Sequence, residues 1–170
     1  MSFSKSKSSG LILPTGEEIT TTWSDACKIV IDIASKRKSP LNVMLEAPLS
    51  FSFKNENPIR RSFEPTNYEW YRNAGAGLAW GAGLFLIELS KASSAKVLLY
   101  EAFITNANKT RKNLRSDNHI RDARLMVKNI IENKENLLTD LCLSDAKIES
   151  STKRLGLDFG IPPVLRADKE

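Results

Sequence analysis

The chain is poor in the residues that build metal and redox sites. It holds one histidine, His119, and two cysteines, Cys27 and Cys142. The cysteines lie far apart and neither sits in a C-x-x-C or Cys…His spacing, so neither a zinc site nor a disulfide framework is indicated. No base is identifiably paired with a cysteine or serine, which leaves nucleophilic catalysis unsupported. Long apolar runs are also missing. The most apolar stretch, AGAGLAWGAGLFLIEL, has 16 residues (74–89) and carries Glu88 near its end, short of the ~20 that a membrane-spanning helix needs. The first ten residues, MSFSKSKSSG, are polar and lack the apolar core of a secretory signal. These absences predict a cytoplasmic protein without a membrane span.

What is present is a chain of 170 residues, 41% hydrophobic and 26% charged, enough for one domain with a core. A net charge of +5 leans toward polyanionic partners, although proteins that bind no nucleic acid often carry as much. No repeat divides the sequence. GLILPTGEEITTTW reads as a hairpin, because Pro14, Thr15 and Gly16 interrupt two β-favouring runs. Ser24 is placed to cap a helix in which Ala26, Ile29, Val30, Ile33 and Ala34 recur at helical spacing, ending at Lys36, Arg37, Lys38 and Pro40. LNVMLEAPLS follows as a short strand with Glu46 at its end. Residues 51–67, with Pro58 and Pro65, are expected to form a long loop.

A second helix is predicted over 69–91. Its glycines, Gly75, Gly77, Gly81 and Gly83, each cost ~1 kcal/mol against alanine, so close packing of the helix backbone on a sheet is expected. KVLLYEAFIT, apolar throughout apart from Glu101 late in the run, reads as a central strand. A basic, Asn-rich loop leads to a helix whose buried stripe is Ala123, Met126, Val127, Ile130 and Ile131. Residues 135–170 read as a C-terminal helix and a tail, GIPPVLR, that its prolines keep extended. The alternation of strand and helix after the hairpin argues for one mixed sheet covered by helices. Ligands in such sheets sit at the carboxyl ends of the strands.

That places three acids together: Glu46, Glu101 and Asp122. Asp122 lies in NHIRDARLMV, between Arg121 and Arg124. A salt bridge to either arginine is the plain reading, and such a pair contributes little. Acids gathered at one edge repel unless a cation lies between them, and Mg²⁺ or Mn²⁺ held by carboxylates is the arrangement used for phosphodiester cleavage. Basic residues nearby, Arg60, Arg61, Lys109, Arg111, Lys112, Arg115, Arg121 and Arg124, could hold a phosphate backbone. On the helix that carries Asp122, Arg121, Arg124 and Lys128 share one face, while His119 and Asp122 share another. The glycines of 75–83 follow no strand in a phosphate-cradle pattern, so nucleotide binding is not indicated.

The strands LNVMLEAPLS and VLLYEAFIT and the helix HIRDARLMV, in that order around a glycine-rich helix, resemble the RNase H-like superfamily. The likeness is to its uncharacterised predicted-nuclease families and, more distantly, to the Holliday-junction resolvases. It covers roughly residues 10–130 of what would be a single domain over 1–170. It implies an α/β fold, an RNase H-like mixed sheet flanked by helices, with Glu46, Glu101 and Asp122 as ligands of Mg²⁺ or Mn²⁺. His119, Asp122 and Ala123 match the family's His-x-x-Asp-Ala helix, which adds His119 to the catalytic candidates. In one respect the sequence departs from the family. Members place a first metal-binding aspartate on a strand before the hairpin, and no acid occurs here before Glu17; residues 1–10 would be a flexible lead-in or a remnant of that strand. The expectation is a metal-dependent nuclease acting on DNA or RNA. Its alternative is an inactive module of the same fold that binds nucleic acid or a partner protein. The glycine helix could also anchor a homo-oligomer or a partner subunit.

Overall fold

In a computed structural model the chain is mixed α/β. The structure describes residues 9–54, 57–59, 74–105, 117–132, 148–160 and 162–168. The basic residues Arg60, Arg61, Lys109, Arg111, Lys112 and Arg115 lie outside these ranges, as do Cys142 and positions 133–147 of the expected C-terminal helix.

The hairpin forms as its sequence dictates. Strands β1 (Ser9–Ile12) and β2 (Glu18–Thr21) pair antiparallel, with Gly10 opposite Thr20. Between them the Leu13 carbonyl accepts from the Gly16 amide at 2.9 Å. Pro14 supplies the fixed φ of the first turn position, and Gly16 takes the φ of 86° that closes the loop. Helix α1 (Trp23–Lys36) is capped by Thr22, not Ser24: the Thr22 hydroxyl accepts from the Asp25 amide and donates to the Asp25 carboxylate. This reciprocal pair satisfies an amide donor at the helix start and leaves Ser24 inside the first turn.

A single mixed sheet was expected; among the described residues the strands form three small ones. β3 (Leu41–Leu45), β6 (Val97–Thr105) and β8 (Val164–Asp168) are parallel, with β6 central as its apolar sequence predicts. The pairing is staggered. β3 runs beside Val97 to Glu101 and β8 beside Glu101 to Thr105, so Glu101 alone has a strand partner on both sides. The segment read as a loop after Phe51 is partly strand: β4 (Ser50–Lys54) pairs with β5 (Asn57–Ile59) and with β7 (Ile148–Ser150). Pro58 falls on β5, at the edge of that sheet, where a missing amide donor is tolerated.

Helices cover both faces of the parallel sheet. Leu41, Val43 and Leu45 of β3 and Leu99 of β6 form one core with α1 and with Phe85, Leu86 and Leu89 of α2 (Ala74–Ala92). On the other face Met44, Tyr100 and Ala102 meet Leu125 and Met126 of α3 (Asp117–Glu132). Of the helix glycines, Gly83 receives Leu155, which follows the short helix α4 (Ser151–Arg154), rather than a strand; a Cβ there would lie 3.0 Å from its side chain. The sheet instead meets α2 through Phe85, Leu86 and Leu89. The GIPPVLR tail is extended at Val164 to Arg166 and supplies β8. No helix among the described residues is long and apolar enough to cross a membrane.

Candidate functional site: a cavity between two strand edges

Helix α3 packs against β1, β2 and β8. Its approach to β1 is close enough to require Gly10, where a Cβ would fall 2.5 Å from the backbone of His119 and Ile120. Arg124 turns outward and pairs with Glu18 on β2, its Nε 2.6 Å from a carboxylate oxygen. That ion pair holds the Glu18 carboxyl below its ordinary value. The arginine after Asp122 is therefore committed to another acid.

Asp122 faces inward and is buried, His119 is half-buried, and the Asp122 Oδ1, His119 Nδ1 and Ser9 Oγ atoms are removed from solvent. His119, Asp122 and Ser9, with Glu46, wall a cavity of about 740 Å³. The rest of the wall is largely apolar: Trp23, Ala26, Cys27, Val30 and Ile33 of α1 on one side, Ala123, Met126 and Val127 of α3 on the other. Burial in these surroundings pushes the Cys27 thiol up to about 12, which removes the thiolate needed for nucleophilic or redox chemistry at neutral pH.

The three acids of the sequence motif do not converge. Glu46 and Asp122 share the cavity, but Glu101 does not line it. Glu101 is level with Leu45 in the register and two residues from Leu99, so it points to the α1 and α2 face, whereas Asp122 comes from α3 on the opposite face. It is fully buried and accepts a 3.0 Å hydrogen bond from the Leu49 amide. There it fixes the turn after β3 to the central strand. Among the described residues no group of three or more His, Cys, Asp or Glu is arranged to hold a metal ion. Among the described residues, Glu46, Glu101 and Asp122 do not together make the Mg²⁺ or Mn²⁺ site that the resemblance implies.

Sequence reasoning placed His119 and Asp122 on one face and Glu46 at a strand end, and the cavity brings those together. It missed the α1 wall. The signal was there: Trp23, Ala26, Cys27, Val30, Ile31, Ile33 and Ala34 make an apolar arc wider than one sheet contact requires. Comparison with family models, curated proteins and solved structures returned no match.

Proposed function

We propose that the chain is a non-catalytic module of RNase H-like type that binds a partner protein through this cavity. One observation supports the reading: Glu46, His119 and Asp122 wall a large, mostly apolar cavity that Glu101 does not line, and Glu101 accepts instead from the Leu49 amide. The basic face of α3 lends less support to nucleic-acid binding, because Arg124 of that face is paired with Glu18.

A second reading, the divalent-metal-dependent nuclease, is favoured by one feature: Glu46, His119 and Asp122 wall the same cavity. A cleavage assay separates the two. The protein is incubated with single- and double-stranded DNA and RNA in Mg²⁺ or Mn²⁺, beside Asp122→Asn. The module reading expects no metal-dependent products from either protein. Cleavage by the wild type that Asp122→Asn abolishes, with the thermal transition unchanged, would establish the nuclease instead.

A further inference from the structure

We draw no further inference here: the strongest candidate, the face of helix α2 on which Trp80 and Leu84 stand exposed one turn apart, carries nothing because nothing in the structure shows what covers it.

Discussion

Glu101 and Gly10 carry the sharpest consequences at the scale of single residues. A carboxylate fully removed from water is costly unless its oxygens are engaged, and Glu101 is held by the Leu49 amide. Glu101→Gln keeps a carbonyl oxygen for that amide and should be tolerated to within about 1 kcal/mol, whereas Glu101→Ala strands the donor and should cost about 1–3 kcal/mol or more. Urea denaturation of the two variants measures the difference; equal losses would show that the Leu49 bond contributes nothing. At Gly10 the constraint is steric. A methyl group there meets backbone at 2.5 Å, and backbone cannot yield as a flexible side chain does, so Gly10→Ala should destabilise by about 1–3 kcal/mol and shift the NMR signals of His119 and Ile120. The sequence made Glu101 conspicuous without revealing its direction. VLLYEAFIT is apolar on both faces, so nothing in its alternation says which face the acid takes; pairing with Leu45 decides it.

Among the elements, those with strong local signals were legible and those made by partners were not. The β1–β2 turn, α1, β3 and β6 follow from Pro14 and Gly16, from helical spacing and from apolar runs. β4 and β5 lie in a segment rich in Pro and polar residues, and β7 is three residues long; such strands form because they have one another to pair with, a fact that no window of sequence contains. The cap moved from Ser24 to Thr22 because Asp25 could answer Thr22 and not Ser24. Helix α3 is joined to β2 by the Glu18–Arg124 pair, and this junction has a pH signature. Glu18 is held below its ordinary 4.5, so its contribution is fully present above that pH and is lost as pH falls through the lowered folded value. Acid unfolding monitored by circular dichroism should shift to higher pH in Arg124→Ala, and Glu18→Gln should flatten the same limb. No shift in either would mean that the exposed pair contributes nothing to the fold.

For the whole molecule, a mixed α/β architecture with strands covered by helices was legible from the order of elements. The sheet partners were not, because pairings such as that of β6 with β8 join segments far apart in the sequence. The staggered pairing of β6 bears on how the molecule is made. During synthesis β3 emerges before β6 and can receive its first half, but the second half, Glu101 to Thr105, waits for Val164 to Asp168, far later in the chain. Until then an apolar strand edge stands open to other nascent chains. The interval between translating those two segments is when this protein is most exposed to aggregation, and a chaperone that shields strand edges would act there.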